Sequence, residues 1–355
     1  MQSAMVFLSF PAFGASFGCA QATNWRERVI CHTPALSSLD DQLGRVYQQK
    51  RAMLTRNGAE LLHKSQESWF KYIDTVYPKM PAPTEYSRAT PKTFLQLRYQ
   101  ERLKELAKVA YKLGPFVFNR IDLFAAEPHD ASDETGSVPG FYIQHLAFPQ
   151  IDNVNSAAVA AWNRTNDRGS VNHDSSCDSD SGDEDQDYDV GYANNYIISV
   201  ERVVSEYCHG TPHGTFSVTT DNLVWGPPEQ KLIASEVFSD GWEAKFKKLF
   251  LQALAAKDWS PPENQTDTVR DEIGSIIVDP TRWYFTKAGL SISFSAYEGG
   301  CYACNPGTTT VRWNDLKPLL AARLIFSEKG GKLLSSKPTA TKPTPYGDTT
   351  IPSRG

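Results

Sequence analysis

Apolar residues recur at helical spacing in the first third of the chain. Leu36, Leu39 and Leu43 are three and four positions apart, and the same spacing continues to residue 112. The breaks fall at an Asn-Gly pair and at a cluster of three prolines. This pattern predicts a small bundle of three or four helices within residues 16–115.

After Gly114 the pattern changes to short runs of β-branched and aromatic residues separated by turn residues. Two helical segments, WEAKFKKLFLQALAA and NDLKPLLAARL, interrupt these runs. Strands with intervening helices predict an α+β sandwich-like domain with a mainly antiparallel sheet over residues 140–325, so the whole chain is α+β. The predicted strands are FYIQHLAF, NYIISVERVVSEY, GTFSVTTDNLVW, RWYFTKAGLSISFSAY and TTTVRW.

The two ends of the chain differ in composition from the predicted domains. Residues 1–15 are uncharged and apolar and end in Ala-Phe-Gly-Ala, which predicts a signal peptide, although a basic start is missing. Cleavage before Cys19 would instead give a lipid anchor, but Ser-Phe-Gly is a poor lipoprotein motif. Residues 326–355 are rich in Pro, Thr and Lys, which predicts a disordered tail. No segment predicts a membrane span.

Charge is unevenly distributed along a chain whose net charge is −5. Residues 16–115 hold 16 Lys and Arg against 9 Asp and Glu, whereas residues 169–200 hold eight acidic residues and no Lys or Arg. We expect an acidic, solvated loop over residues 174–189. Two alternatives are an electrostatic lure for a cationic partner and a calcium loop. The calcium motif fits poorly, because Gly182 is at the fifth position rather than the sixth and Asp189 replaces its last Glu.

Six cysteines, an even number, fit a secreted or periplasmic protein with disulfides. Cys301 and Cys304 in EGGCYACNPG could form a redox dithiol, half of a zinc site or a disulfide. A turn-forming Asn-Pro-Gly follows them instead of a helix, which disfavours the redox reading. Six cysteines permit fifteen pairings, and the sequence leaves the choice open.

Two histidines in YCHGTPHG suggest a second chemical reading. His209 and His213 with Cys301 and Cys304 have the ligand types of a zinc site, provided that two distant loops converge and the thiolates escape oxidation. The alternative is that the histidines order a loop, that Cys208 bridges Cys177, and that Cys301 and Cys304 close their own loop. We favour this alternative and predict no metal and no cofactor.

Residues 16–49 carry the first of two family resemblances. Their Ile-Cys and L-x-x-L-D-x-x-L-x-x-x-Y patterns resemble the N-terminal domain of the LprI-type lysozyme-inhibitor family, and later Q-x-x-W and Y-x-x-R-x-x-x-L motifs follow. That family often has a second cysteine pair where this chain has Tyr77 and Phe94, which implies that Cys19 and Cys31 form the surviving bridge. The matching residues are Cys19, Glu27, Ile30, Cys31, Leu36, Leu39, Asp40, Leu43, Tyr47, Gln66, Trp69, Tyr99, Arg102 and Leu106.

Residues 141–322 resemble the C-terminal domain of RsiV-type anti-sigma proteins, which also occurs beside some peptidoglycan deacetylases. A Y-P-x-I strand and a helix ending in Asn are matched by residues 148–151 and 158–163. Cys301 stands where that family often has proline. The other matching residues are Ser199, Val200, Tyr207, Gly210, His213, Gly289, Leu290, Ile292, Phe294, Tyr297, Glu298, Tyr302, Ala303, Gly307, Val311 and Leu316.

Both resemblances imply recognition of lysozyme. LprI-type proteins are associated with its inhibition and the RsiV-type domain with its binding. We therefore expect a secreted or periplasmic protein that binds and inhibits a lysozyme-like muramidase, without nucleic-acid partners. Tyr297 and Tyr302 are the predicted anchors, with Glu298, His209 and His213 nearby in the predicted site.

Two other functions stay open. One is a cell-envelope module that binds peptidoglycan or another wall polymer through the basic bundle. The other is a wall-modifying hydrolase with Glu298 or His213 as its acid or base, although the common hydrolase and nucleotide motifs are missing and we predict no catalytic residue.

Overall fold

The computed structural model describes residues 16–79, 91–129, 136, 138, 140–167, 177, 182–224 and 230–321. The predicted signal peptide 1–15 and tail 326–355 lie outside them. Four helices precede the first strand in these residues. The helices and strands are α1 (Trp25–Cys31), α2 (Pro34–Ala52), α3 (Arg56–Val76), α4 (Pro91–Ala107), β1 (Tyr111–Leu113), β2 (Phe116–Pro128), β3 (Phe141–Ile151), α5 (Ala157–Asn166), β4 (Gly182–Ala193), β5 (Ile197–Cys208), β6 (Thr215–Val224), β7 (Gln230–Lys231), α6 (Glu243–Ala255), α7 (Thr266–Ile276), β8 (Tyr284–Phe285), β9 (Gly289–Ile292), β10 (Thr309–Arg312) and α8 (Trp313–Leu316).

Seven strands, β1 to β7, form one sheet in chain order, and β8 to β10 form a second sheet with β9 in the middle. All pairs are antiparallel except β3 with β4. The predicted α+β class with a mainly antiparallel sheet is confirmed. The small sheet is joined to the large one where Phe285 N–H donates to Ser199 Oγ (3.0 Å) and Asn222 Nδ2 donates to the Trp283 carbonyl (2.6 Å).

Local predictions were wrong at several element boundaries. The break between α2 and α3 falls at residues 53–55, and Asn57-Gly58 lies in the first turn of α3. A Cβ at position 58 would lie 2.1 Å from the Asp152 carboxylate, so a larger residue there would displace the group that accepts from Thr55. Helix α7 and strand β2 were not predicted, and α8 is a single turn.

The predicted acidic loop 174–189 is wrong for residues 182–189, which form part of strand β4. The carboxylates of alternate residues each have a partner on a neighbouring element, which explains why so acidic a segment is extended rather than solvated. Asp185 accepts from His145, Asp187 from Arg120 and Lys108, and Asp189 from Tyr284. Neither a calcium loop nor a free acidic lure fits these described residues. The remaining acidic positions of the predicted loop lie outside the described residues.

The motif residues of the LprI-type resemblance contact one another across the helical bundle. Tyr99 Oη donates to Asp40 Oδ1 (3.0 Å), joining α4 to α2. Arg102 Nε donates to Gln66 Oε1 (3.1 Å), joining α4 to α3. Both contacts are buried. These motifs therefore specify how the helices pack.

All six cysteines are paired in the structure: Cys19 with Cys31, Cys177 with Cys208 and Cys301 with Cys304. These are the pairs that the sequence favoured. Because the sulfur of Cys19 is already bonded, it cannot also carry the thioether of a lipid anchor.

An aromatic contact occupies the place where the LprI-type family, which the chain resembles, often has a second cysteine pair. The rings of Tyr77 and Phe94 lie 5.7 Å apart between centroids, and Trp25 stacks on Tyr77 at 4.3 Å. The chain therefore holds these helices together by apolar contact where the family pattern uses a covalent bond.

A buried carboxylate joins the bundle to the large sheet. Asp122 on β2 accepts from Arg102 Nη1 of α4 (2.9 Å), from Arg120 Nε (2.7 Å) and from His145 Nε2 of β3 (3.2 Å). Burial alone would raise the pKa of Asp122, but Arg120, His145 and Arg102 hold it far below its ordinary value. Three elements are thus fixed around one negative charge.

Replacing Asp122 with Asn should therefore destabilise the protein strongly. Because it would leave two buried guanidinium groups undercompensated, we expect a loss of about 3–5 kcal/mol in the free energy of unfolding. The control is Asp41→Asn, which removes the exposed pair between Asp41 and Arg45 on α2 and should cost less than about 0.5 kcal/mol. Urea denaturation measures both, and similar losses in the two variants would contradict the role of Asp122.

Stability should also fall at alkaline pH because of His145. Burial would lower its pKa, but hydrogen bonds to Asp122 and Asp185 outweigh burial and raise it to about 10, above the ordinary 6.5. A raised pKa stabilises the fold fully below the unfolded value, and the contribution is lost as pH rises through the folded value. Unfolding measured from about pH 7 to about pH 10 should show the wild-type advantage over His145→Gln shrinking. A constant difference would show that His145 does not titrate with folding.

Candidate partner-binding site

The loop of residues 295–307 lies between β9 and β10, and the disulfide between Cys301 and Cys304 closes a four-residue turn within it. Gly299 and Gly300 precede the disulfide with φ of 108° and 97°. A Cβ on Gly300 would lie 2.8 Å from Gln265 and 2.9 Å from Val269. The loop therefore needs glycine here, both for its backbone conformation and for its close approach to α7.

Side chains from outside and inside the loop hold its backbone. Trp259 Nε1 donates to the Cys304 carbonyl (2.7 Å), and Lys257 Nζ donates to the carbonyls of Pro306 (3.2 Å) and Thr308 (2.8 Å). Asn305 Nδ2 donates to the Ser295 carbonyl (2.5 Å) across the loop. This loop is consequently fixed at several points rather than attached only by its ends.

Glu298 is part of this support. Its two carboxylate oxygens accept from Arg282 Nη1 and Nη2, both at 2.8 Å, and Oε2 also accepts from Ser295 N–H (2.6 Å). The bond to Glu298 raises the pKa of Arg282. A carboxylate bound in this way orders the loop and is poorly placed to donate a proton as a general acid.

The tip of the loop carries an exposed aromatic patch, formed by His213, Phe216, Tyr297 and Tyr302. The ring of Tyr302 stacks on His213 at 4.2 Å, and its edge contacts Phe216 at 6.4 Å. Tyr297 meets Tyr302 edge-on at 5.7 Å, and its hydroxyl lies 3.5 Å from His213 Nε2. Tyr297 is 53% exposed and Tyr302 is 38% exposed. The structure thus brings together three of the five predicted site residues.

Tyr297 has a left-handed backbone conformation, with φ of 67°. This conformation is unfavourable for a residue with a Cβ by about 1–2 kcal/mol. The Tyr297 carbonyl accepts from Gly300 N–H (3.1 Å), which closes a tight turn. Such strain clusters at functional sites, because it persists only where the surrounding structure holds it.

His209 lies apart from the aromatic patch. Its side chain is buried, lies 3.3 Å from Asp183 through Nε2, and packs edge-on against Tyr142. The zinc site that we considered and did not favour does not fit the structure, because Cys301 and Cys304 form a disulfide and have no thiolate to offer. In the described part of the chain, no group of three or more His, Cys, Asp or Glu residues could hold a metal ion.

Sequence reasoning missed Arg282, Asn305 and Phe216. Arg282 and Phe216 are far from the loop in sequence, and no local pattern indicates their contacts. Phe216 is part of the site because its carbonyl accepts from Ala296 N–H (2.9 Å), and this hydrogen bond docks the loop on β6. Asn305 carried a signal, since Asn-Pro-Gly marks a turn, but its bonds across the loop depend on the tertiary structure.

The chain is similar in part to the lipoprotein LprI of Mycobacterium tuberculosis and of Mycobacterium bovis, with 32% identity over 97 residues. The match covers 27% of this chain and 43% of each mycobacterial protein, so the chain spans less than half the length of these relatives. No family profile matches the chain. The similarity supports an LprI-like domain.

Two solved structures of DUF3298 family members also align with the chain. One, from Bacteroides fragilis, has a TM-score of 0.39 and 16% identity over 60% of this chain and 96% of its own. The other, from Pseudomonas aeruginosa, has a TM-score of 0.34 and 12% identity over 61% and 98%. At these scores neither similarity bears on function, and the RsiV-type resemblance stays a prediction. No helix in the described residues is long and apolar enough to cross a membrane.

The strain at Tyr297 is measurable. Because glycine adopts a left-handed conformation freely, Tyr297→Gly should be more stable than Tyr297→Ala by about 1 kcal/mol. The control pair is Tyr302→Gly and Tyr302→Ala, at a helical position where Ala should be the more stable by about 0.5–1 kcal/mol. Chemical denaturation of the four variants measures both differences. If the same substitution, Gly or Ala, gave the more stable protein at both positions, the result would contradict strain at Tyr297.

Proposed function

We propose that this protein binds a lysozyme-like muramidase through the aromatic patch and thereby inhibits it, outside the cytoplasm. The observation that carries the proposal is the exposed stack of Tyr302 on His213 beside Tyr297, held on a disulfide-closed loop. The partial similarity to lipoprotein LprI and the two family resemblances in the sequence support the same partner class.

The geometry suits insertion into a cleft. A muramidase cleft is built to hold a sugar chain between carboxylates. Tyrosine rings offer a large contact area and a hydroxyl at low entropic cost, and they are common at the centres of interfaces. A loop that is already fixed by Trp259, Lys257 and Asn305 loses little further freedom when it binds.

Long-range attraction has a smaller part in this proposal than the sequence suggested. Residues Asp185, Asp187 and Asp189 are engaged by His145, Arg120 and Tyr284 and do not form a free acidic surface. The net charge of −5 still favours encounter with a cationic muramidase at low ionic strength. Specificity in the proposal therefore comes from the aromatic contact.

A binding role fits the site better than the hydrolase alternative. The carboxylate of Glu298 is held by Arg282 and Ser295, and His213 is stacked on Tyr302 with Nδ1 donating to the Gly214 carbonyl (2.8 Å). Both groups are thus engaged by neighbouring residues of the loop and the patch, which favours a role in ordering them over acid or base catalysis.

The test is lysozyme binding and cell-wall lysis measured with the purified protein and single variants. Tyr302→Ala should weaken the complex by about tenfold or more, as expected for a central aromatic anchor. Tyr196 is the matched control, because it is 52% exposed at the turn between β4 and β5, away from the patch. Tyr196→Ala should change affinity by about twofold or less.

Two results would contradict the proposal. The first is the lack of both a complex and slower lysis at low salt, where attraction between opposite charges is strongest. The second is an equal loss of affinity in the Tyr302 and Tyr196 variants, which would place the interface elsewhere.

A further inference from the structure

A groove on the helical bundle lies between the end of α2 and the first turns of α3. Its volume is about 490 Å³. Two alanines, Ala52 and Ala59, are part of its lining, and polar or charged side chains form the rest. The lining residues are Gln48, Arg51, Ala52, Arg56, Ala59, Glu60 and His63.

The two arginines of this groove differ from most others in the bundle. Arg26, Arg98 and Arg102 each pair with a carboxylate. Among the described residues, neither Arg51 nor Arg56 has an ion pair, and both are exposed. Glu60 is one turn from Arg56 in the same groove, but the two side chains form no salt bridge. The groove therefore presents two exposed guanidinium groups that form no ion pair with a carboxylate among the described residues.

Helix stability does not explain the position of Arg56. It is the first residue of α3, where the helix dipole disfavours a positive charge. Arg51, by contrast, is in the last turn of α2, where a positive charge is favourable. The helix N-terminus already has a cap, because Thr55 Oγ1 accepts from Gly58 N–H (3.3 Å), and the Asp152 carboxylate lies beside this cap, where it accepts from Thr55. A ligand in the groove would thus contact the arginines rather than the helix end.

We infer that this groove binds a linear polymer carrying phosphate groups. Guanidinium groups bind phosphate oxygens in bidentate fashion, which favours an oxyanion. The groove is open to solvent, and its volume of about 490 Å³ is much larger than one phosphate, so it has room for more than one phosphate unit. Its lining lacks the Trp, Phe and Leu side chains that enter a membrane interface, so a polymer fits better than a lipid surface. A cationic muramidase would be repelled here, so this site is independent of the aromatic patch.

The experiment titrates the purified protein with sodium polyphosphate, inorganic phosphate and phosphatidylglycerol vesicles by calorimetry at low salt. The double variant Arg51→Gln/Arg56→Gln should bind polyphosphate about tenfold more weakly or worse. Its matched control is Lys64→Gln/Lys71→Gln, which removes the same charge from exposed positions of α3 outside the groove. The control should lose about twofold or less. The slope of log affinity against log salt should fall by about one for each arginine removed.

Each of the following binding results would overturn the inference. Equal losses in the two double variants would mean attraction by net charge alone. Inorganic phosphate binding as tightly as polyphosphate would mean a single-anion site, and binding to vesicles alone would mean a membrane surface. Unchanged thermal unfolding of both variants shows that a loss is not due to misfolding.

Discussion

The fold depends on the compensation of charge around Asp122. One carboxylate faces Arg102, Arg120 and His145, so it cannot balance them alone. Further carboxylates are needed, and β4 supplies Asp185 and Asp187 from the far side of the same cluster. A buried cation without such partners would cost several kcal/mol. The acidic run in the sequence is therefore a requirement of the junction between bundle and sheet, and this junction fixes where the large sheet and the sites on it stand relative to the helices.

The acidic strand also shows why sequence reasoning failed where it did. In a half-buried strand, apolar residues are expected to alternate with polar ones. In β4, acidic residues alternate instead with the buried residues Gln186, Tyr188 and Val190. Asp185, Asp187 and Asp189 share the period of two that defines a strand. The high local charge made this strand period hard to recognise, because a run of acidic residues is usually solvated. The partners that bury these carboxylates lie on other elements and cannot be read from the segment itself.

More of the helical bundle than of the candidate site could be predicted from the sequence. Helical spacing identified α2 and α4, and the motif residues matched contacts such as Gln66 with Arg102, since these depend on a helical surface that local sequence defines. In the site, Tyr302 could be singled out because it lies within CYAC, and Tyr297 because it is at the base of the same loop. The stack on His213 could not, because it joins positions far apart in sequence through the docking of the loop on β6.

In the 295–307 loop, the residues that stabilise the loop differ from those proposed to contact a partner. Its buried and half-buried groups, such as Glu298, Asn305 and the glycine at 300, all bind the backbone or pack against α7. Its two tyrosine rings are exposed, and Tyr297 has a left-handed backbone conformation. Changes at the base should therefore disorder the loop, whereas changes at the tip should alter the proposed binding surface with only a small effect on stability. This separation of the two effects supports the proposed binding role of the tip, because folding alone would favour glycine over tyrosine at position 297.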